Sequence, residues 1–412
     1  MLLPLLLKSV PESADDISDT SFRVDEVVLT EILVRQTSWT PAVPGKPARV
    51  DFFIGTPLRD YHTYIAGAGL QVQHGLEAGV ALALLPAMRT GMDLRVDGYL
   101  SDTFLHGVKK YIDVFTQALP EFKTIDVKPL GTYLAKKVSG SSRCASFFSG
   151  GVDSFYTLLK GAEEITDIIY IHGFDVRLDD LARRRAVDEM GHAVSTELGV
   201  TYLAIESNLG KVLQDFGKWA EHAHGLAMLA VSRVLAGYVS EVRIPGTFSV
   251  AEQKPWGSWL QTDPLFSDER LHIVHDACDA RRMDKVRRLA SEPLALQYMR
   301  VCWGSVEGMN NCCRCEKCLR TMTSLHILGV LEGSSAFTLP LDTALVAQVC
   351  LPVKGLRIFP RENLALLRES KRDMPELERA LTRQLNRPIW LARLRLKWRK
   401  RFLRWQRKLQ LP

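Results

Sequence analysis

A strand, a glycine turn and a helix follow one another between residues 144 and 160, and this order constrains the fold more than any other feature of the chain. The apolar run Cys144–Phe148 precedes Ser-Gly-Gly-Val-Asp-Ser at 149–154, and an apolar helical pattern comes next. Adjacent glycines let backbone N–H groups approach a phosphate, and the start of a helix adds partial positive charge. The hydroxyls of Ser149 and Ser154 add donors. The segment predicts a phosphate-binding loop, with a capped helix after an ordinary turn as the alternative.

Asp153 is the one carboxylate in this loop, and it would repel a phosphate directly. Its useful role is to hold Mg²⁺, which prefers oxygen ligands and neutralises the charge between carboxylate and phosphates. A Walker loop would require GxxxxGK[ST], which is absent from this sequence. Cys144, at the buried start of the strand, is the only cysteine that the predicted sheet places beside the loop, which argues against sulfur transfer.

The segment at 149–154 resembles the SGGxDS signature of the PP-loop ATP pyrophosphatases, and the resemblance covers residues 140–330. Members mostly cleave ATP between the α- and β-phosphates and transfer AMP to a substrate oxygen. The resemblance implies a sheet of the adenine-nucleotide alpha-hydrolase (HUP) type and catalytic roles for Asp153 and Ser154. It also implies that ATP and pyrophosphate bind to all six residues of the loop, Ser149, Gly150, Gly151, Val152, Asp153 and Ser154.

Four cysteines near residue 310 have the spacing of a metal site, C-x₉-C-x₂-C-x₂-C. They are Cys302, Cys312, Cys315 and Cys318. Four thiolates fill a tetrahedral zinc shell and leave no open position, which is typical of a structural site. Zinc is the favoured interpretation, and an iron–sulfur cluster, a redox-active pair and packed free thiols are the alternatives. Cys313 is a spare thiol in the same run.

A PP-loop followed by this cysteine knuckle resembles the 7-cyano-7-deazaguanine synthase-like proteins. Such an enzyme activates a heteroaryl carboxylate as an acyl adenylate, which ammonia converts to an amide that is dehydrated to a nitrile. The resemblance implies adenylation of a carboxylate or carbonyl oxygen on a small molecule or protein, release of pyrophosphate, and attack by a nitrogen nucleophile. A non-catalytic nucleotide-binding partner in a membrane- or complex-associated system is the competing hypothesis.

Strands alternate with helical patterns from residue 144 onward, which predicts the α/β class and a doubly wound parallel sheet. Ligands of such sheets bind at the carboxyl ends of the strands. Before residue 140, a buried helix is expected at 76–88 and an amphipathic helix at 102–119, capped by Ser101. We expect four segments: an N-terminal α+β domain at 1–140, the PP-loop domain at 141–331, a mixed segment at 332–378 and a basic amphipathic helix at 379–412.

Further candidates follow the predicted strands. The resemblance places the adenosine beside His172, Gly173 and Phe174, and a simple βα turn is the alternative. Lys254, in a loop rich in glycine and proline, would stabilise charge on the α-phosphate or bind a small acidic substrate, or would be a surface lysine. Arg281 and Lys285, one helical turn apart, are interpreted as a solvated face.

Charge is distributed unevenly along the chain. Twelve of the 53 basic residues lie at 379–412, which has no acidic residue, so the remainder carries 41 basic residues against 47 acidic ones. Sequence-specific recognition of nucleic acid is therefore not expected of the body. After Pro388, apolar residues recur at helical spacing, at Trp390, Leu394, Trp398, Phe402, Trp405 and Leu409.

Such a helix at 388–409 suits an anionic membrane surface or an acidic protein partner, with packing on the body as the alternative. No apolar run approaches the length that spans a bilayer. We therefore expect a cytoplasmic protein, peripheral at the inner face of the membrane if this helix docks there. An oligomer is compatible with the sequence.

Overall fold

A ten-stranded sheet lies at the centre of the computed structural model, which describes residues 30–70, 76–136, 142–302 and 311–409. Its strands are β1 (Ile32–Thr40), β2 (Ala48–Gly55), β3 (Tyr61–Gly67), β4 (Leu94–Ser101), β5 (Val127–Tyr133), β6 (Cys144–Phe147), β7 (Asp167–His172), β8 (Thr201–Ser207), β9 (Glu241–Pro245) and β10 (His272–Asp276). Their spatial order is β10-β9-β6-β7-β8-β3-β2-β1-β4-β5.

The sheet is mixed and mostly parallel. Strands β6 to β10 are parallel to one another, as the alternation of strands and helices predicts, and β1, β4 and β5 form a second parallel group. Antiparallel pairs join β1 to β2, β2 to β3 and β3 to β8. The α/β class is therefore confirmed, but a wholly parallel sheet is not, because the N-terminal strands β2 and β3 run against their neighbours.

The β3–β8 pair connects the strands that precede residue 140 with those that follow it. Gly67 lies opposite Ile205 in this pair. A Cβ on Gly67 would lie 2.5 Å from the Ile205 side chain and 2.8 Å from the carbonyl oxygen of Ala204. Glycine thus permits the close approach of the two strands, and the predicted boundary near residue 140 falls within one continuous sheet.

Helices cover both sides of this sheet. They are α1 (Leu76–Thr90), α2 (Asp102–Ala118), α3 (Val152–Lys160), α4 (Leu181–Leu198), α5 (Gly210–Phe216), α6 (His224–Val234), α7 (Arg282–Leu289), α8 (Pro293–Tyr298), α9 (Glu316–Leu328), α10 (Thr343–Gln348), α11 (Ile358–Ser370), α12 (Pro375–Asn386) and α13 (Ile389–Leu409). The predictions of a buried α1 and of α2 are confirmed, and the Ser101 hydroxyl accepts a hydrogen bond from the backbone N–H of Phe104.

Alternate residues of the central strands point to two separate cores. In β7, Ile169 and Ile171 pack with α1, α2, α5 and α6, whereas Ile168 and Tyr170 pack with α3, α4, α7 and α9. A third core joins α9 to α10, α11 and α12. This double coverage explains why the strands are apolar on both faces.

The basic C-terminal segment forms two helices rather than one. Leu377 and Leu381 of α12 are buried in the third core, and α13 begins one residue after Pro388. Along α13 the side chains of Trp390, Leu394 and Trp398 are 66%, 44% and 64% exposed, so they are not packed on the body. No helix in the described ranges has the length and apolar character needed to cross a bilayer.

A buried ionic network ties α1 and β5 to the segment before β10. The Asp268 carboxylate accepts hydrogen bonds from Arg233, at 2.5 Å, and from Arg270, at 2.9 Å. Arg270 also binds Glu77 at 2.6 Å, and the Tyr133 hydroxyl donates to Glu77 at 2.9 Å. Burial alone would raise the pKa of Asp268, but the two arginines outweigh it and lower this pKa to about 2.

We predict that Asp268→Asn lowers the free energy of unfolding by about 3–5 kcal/mol, because it leaves the buried Arg233 without a counter-charge. Urea denaturation at neutral pH measures this loss. The matched control is Asp179→Asn in the exposed Arg177–Asp179 pair, which should leave the free energy of unfolding nearly unchanged, because solvent screens this pair. Since the folded-state pKa of Asp268 is depressed, its contribution is complete above about pH 4 and is lost as the pH falls toward 2. Equal losses in the two variants would contradict the prediction.

Candidate functional site

The loop at 149–154 leaves the carboxyl end of β6, where the order of strands reverses. Strands β7 and β8 lie on one side of β6, and β9 and β10 lie on the other. In open α/β sheets, ligands bind in the crevice outside this reversal. The predicted phosphate loop therefore lies at the position where such a sheet offers a binding crevice.

Internal hydrogen bonds shape this loop. Gly150 has a φ of +76°, a conformation that favours glycine, and Gly151 precedes α3 without a side chain that could cap it. The Ser154 hydroxyl donates to the carbonyl of Gly151 at 3.0 Å and accepts from the N–H of Ser149 at 3.3 Å. The two serines thus hold the loop in shape, and the first N–H groups of α3 keep their capacity to bind an anion.

Arg300 holds the loop from outside. Its backbone N–H donates to the carbonyl of Gly150 at 2.7 Å, and its guanidinium donates to the carbonyl of Ser149 at 3.3 Å and to Asp175 at 2.8 Å. Arg300 is buried, and the Tyr170 hydroxyl also donates to Asp175. The loop, the end of β7 and the segment leading to Cys302 are therefore joined at one arginine.

The three residues predicted to lie beside the adenosine contact different parts of the structure. His172 is buried and its Nε2 lies 2.8 Å from Asp188, whereas Phe174 packs edge-on against Trp219. Gly173 has a φ of +100°, and a Cβ there would lie 1.9 Å from the carbonyl oxygen of Ser207. All three lie at the carboxyl end of β7, as expected, and the adenosine contact stays a prediction.

Asp153 pairs with two cations of α7. Lys285 Nζ lies 3.3 Å from one carboxylate oxygen of Asp153, and Arg282 lies 3.7 Å from the other. The Lys285 side chain is fully buried and also donates to the carbonyl of Gly246 at 2.6 Å. The interpretation of Lys285 as part of a solvated face is therefore wrong. The side of α7 that carries Lys285 packs against α3.

Two further cations approach from α9. Arg320 stacks on Phe359, with its guanidinium carbon 3.9 Å from the ring centroid. Burial, together with the positive charge of Arg282, lowers the pKa of Arg320 to about 10. Burial, Arg320 and Arg282 lower the pKa of Lys317 to about 7, and Asp153 opposes this shift. We call these four residues the cationic cluster: Arg282, Lys285, Lys317 and Arg320.

Sequence reasoning missed the cationic cluster because α7 and α9 meet only in the folded chain. The signal available was weak, since basic residues at helical spacing are usually solvated. Lys254, the lysine that the sequence did single out, is exposed and lies over Phe248 and Trp256, with its Nζ 4.3 Å and 5.3 Å from the two ring centroids. Its part in binding a substrate stays a prediction.

The four cysteines of the predicted knuckle come together. Their sulfur atoms all lie within 4.8 Å of one another, with 3.8 Å between Cys302 and Cys315 and 3.9 Å between Cys312 and Cys318. A tetrahedral zinc ion with Zn–S bonds of about 2.3 Å requires sulfur atoms about 3.8 Å apart. The donor set therefore fits a metal such as zinc, with no coordination position left for a substrate.

Backbone N–H groups donate hydrogen bonds to two of these sulfur atoms. The N–H of Cys315 donates to the sulfur of Cys312 at 3.3 Å, and the N–H of Cys318 donates to that of Cys315 at 3.4 Å. Hydrogen bonds from Cys318 and its neighbours lower the pKa of Cys315 to about 5 against the opposing effect of burial. The thiolate, the form that binds metal, is thereby favoured.

The knuckle is connected directly to the phosphate loop. Asn311 accepts from the N–H of Val301 at 2.9 Å and donates to the carbonyl of Met299 at 2.7 Å, so it fixes the segment that carries Arg300. Helix α9 begins one residue after Cys315. A metal in the knuckle would therefore hold Arg300 on one side of the loop and the α9 part of the cationic cluster on the other.

Comparisons with known proteins do not assign this chain: no family model, no curated protein and no solved structure matches it.

We predict one zinc ion per chain, which elemental analysis of the purified protein would measure. Cys315→Ser should lose the metal and destabilise the knuckle. Cys313→Ser is the matched control and should keep it, because the Cys313 thiol donates instead to the carbonyl of Asn311. Iron accompanied by visible absorbance, or equal metal content in both variants, would contradict the assignment.

Proposed function

We propose that this protein is an ATP pyrophosphatase that adenylates a carboxylate or carbonyl oxygen and then passes the activated group to a nitrogen nucleophile. The observation that carries this proposal is the position of the phosphate loop. It lies at the reversal of strand order. Its carboxylate, Asp153, pairs with two cations, Lys285 and Arg282. The SGGxDS pattern and the four-cysteine knuckle add the resemblance to 7-cyano-7-deazaguanine synthase-like proteins.

The proposed roles follow from the contacts. Backbone N–H groups of the loop bind phosphate oxygens, and the start of α3 adds its partial positive charge. Asp153 holds Mg²⁺ when ATP is bound, and Lys285 and Arg282 then turn from Asp153 to the phosphates. Because Lys285 is fully buried, its charge acts at low dielectric and stabilises developing negative charge strongly.

The chain contributes positioning and charge neutralisation to the reaction rather than covalent chemistry on phosphorus. A substrate oxygen attacks the α-phosphorus, and pyrophosphate leaves toward the loop. Lys254 lies in the loop that follows β9, beside two aromatic rings, which suits the binding of a flat, acidic substrate. A nitrogen nucleophile then takes the acyl group, and AMP is released.

We predict that Asp153→Asn and Lys285→Met each reduce turnover by about 10²-fold or more. Asp153→Asn weakens the Mg²⁺ site, and Lys285→Met removes a cation that would face the phosphates. The assay is exchange of labelled pyrophosphate into ATP in the presence of pooled aromatic and heteroaryl carboxylates. Lys211→Met, in the exposed Lys211–Asp215 pair, is the matched control and should be unaffected.

Three outcomes decide between the hypotheses. Pyrophosphate as the product, and only with a carboxylate present, supports the proposal. Release of ADP and orthophosphate would contradict it. Binding of ATP that Asp153→Asn weakens, without exchange under any condition, would favour the non-catalytic nucleotide-binding partner.

We also propose that α13 binds an anionic membrane surface. Its exposed Trp390, Leu394 and Trp398 form an apolar stripe, and its remaining positions are rich in arginine and lysine. Tryptophan is favoured where one side of a helix is apolar and the other is wet, and each nearby cation adds about 1 kcal/mol at an anionic bilayer. An acidic protein partner is the alternative occupant.

We predict that the full chain sediments with vesicles that contain anionic lipid and that a chain ending at Pro388 does not. The truncation is placed there because α12 belongs to the third core and has to remain intact. Added salt should weaken the binding, and a Trp390→Ser/Trp398→Ser variant should reduce it while keeping every cation. Equal sedimentation of the full and shortened chains would contradict the proposal.

A further inference from the structure

A second cluster of reactive side chains lies at the carboxyl end of β10. Asp263 accepts a hydrogen bond from the Ser258 hydroxyl at 2.6 Å and from the N–H of Trp259 at 3.2 Å. The Nδ1 atom of His275 lies 2.8 Å from the same carboxylate. Asp263 is 1% exposed and His275 is 7% exposed, so the carboxylate fixes the orientation of the imidazole.

The other nitrogen of this imidazole faces a thiol. That thiol belongs to Cys278. A Cβ on Gly246 would lie 2.7 Å from His275 Nε2 and 3.0 Å from Cys278 Sγ, so both atoms border the small space that this glycine leaves open. The side-chain amide of Gln253 donates to the same sulfur at 3.5 Å.

This order, carboxylate to imidazole to thiol, is the arrangement that activates a cysteine nucleophile. Burial disfavours the charged imidazole, but hydrogen bonds with Asp263 and Cys278 outweigh it and raise the pKa of His275 to about 9. Two further titratable groups lie near the pair. Burial lowers the pKa of His224, and burial together with Asp263 raises the pKa of Tyr111, so both stay neutral.

The thiol lies next to the proposed adenylation site. The carbonyl of Gly246 accepts the hydrogen bond from Lys285, which pairs with Asp153 of the phosphate loop. Gln253 directly precedes Lys254, in the loop that follows β9. The Cys278 sulfur therefore borders the loop that would hold the acyl group, on the same edge of the sheet as the phosphates.

We propose that Cys278 is a nucleophile that takes the acyl group from the adenylate as a thioester, with His275 as its acid–base partner and Asp263 as a positioning residue. The proposal rests on the adenylation proposed above. The thiolate attacks the acyl carbon, a C–S bond forms, and the bond from that carbon to the AMP oxygen breaks. A nitrogen nucleophile then forms a C–N bond, the C–S bond breaks, and the proton lost by nitrogen returns to the thiolate through His275.

Other cysteines of the chain provide internal controls. Cys144 and Cys278 are equally buried, at 7% exposed, but Cys144 lies beside Glu241, and burial together with this carboxylate raises the pKa of its thiol to about 12. Cys350 is partly exposed, and its thiol donates to the carbonyl of Gln348. Neither has the Asp263–His275 arrangement, so neither should react as Cys278 does.

The test uses the zinc-loaded full chain and p-nitrophenyl acetate, an acyl donor that requires no ATP. Peptide mass spectrometry should find one acetyl group on Cys278, removable by hydroxylamine, before Cys144 or Cys350 is modified. His275→Gln should slow this acetylation by about 10²-fold, because it removes the imidazole that exchanges a proton with the thiol. Asp263→Asn should slow it less and should shift its pH profile. Unchanged zinc content and circular dichroism show that each variant is folded.

Equal rates at Cys278 and Cys350, or an unaffected rate in folded His275→Gln, would overturn the proposal. A separate assay distinguishes it from the proposed function. In Cys278→Ala, exchange of pyrophosphate should persist, while the label from a radioactive carboxylate that stays covalently attached to the denatured protein is lost. Persistence of both would overturn the thioester and leave adenylation intact. Acetylation of Cys278 in a chain that shows no exchange would overturn adenylation, and with it the adenylate as the acyl donor.

Discussion

The hydrogen bond from the backbone N–H of Arg300 to the carbonyl of Gly150 joins the glycine turn to the segment that leads into the cysteine knuckle. It holds the glycine turn in place, while the guanidinium of the same residue binds the end of β7 through Asp175. Cys302 follows two residues later, so the four-cysteine knuckle determines where this arginine lies. The loop at 149–154 is therefore supported by the knuckle, whose four cysteines could hold a metal but would leave no coordination position for a substrate.

Charge supplies the second constraint. The cationic cluster lies beside three carboxylates. Asp153 pairs with Lys285 and Arg282, Glu316 lies 3.6 Å from Arg320, and Glu362 lines the same cavity as Arg282 and Arg320. A polyphosphate would add further acceptors, since its oxygens would accept from the cluster and from the N–H groups of α3 together.

Local patterns predict the local parts of this arrangement. Short stretches of sequence contain each of three such features: the glycine turn after β6, the cap at Ser101 and the spacing of the four cysteines. Local patterns do not predict the burial of Lys285 or the presence of strand β10. Lys285 occupies a helix whose sequence suits a solvated face, and only its packing against α3 buries it. In β10 the apolar run is interrupted by His275, and its pairing with β9 brings Asp263 and Cys278 to this histidine from outside the strand.

The most direct test of this account is a crystal structure of the zinc-loaded protein with Mg²⁺ and an ATP analogue that resists cleavage between the α- and β-phosphates. The account predicts that the phosphates lie against the backbone N–H groups of residues 150–154, with Lys285 and Arg282 on their oxygens and Mg²⁺ on Asp153. An analogue bound away from this loop, or phosphates that leave the Asp153–Lys285 pair intact, would contradict it.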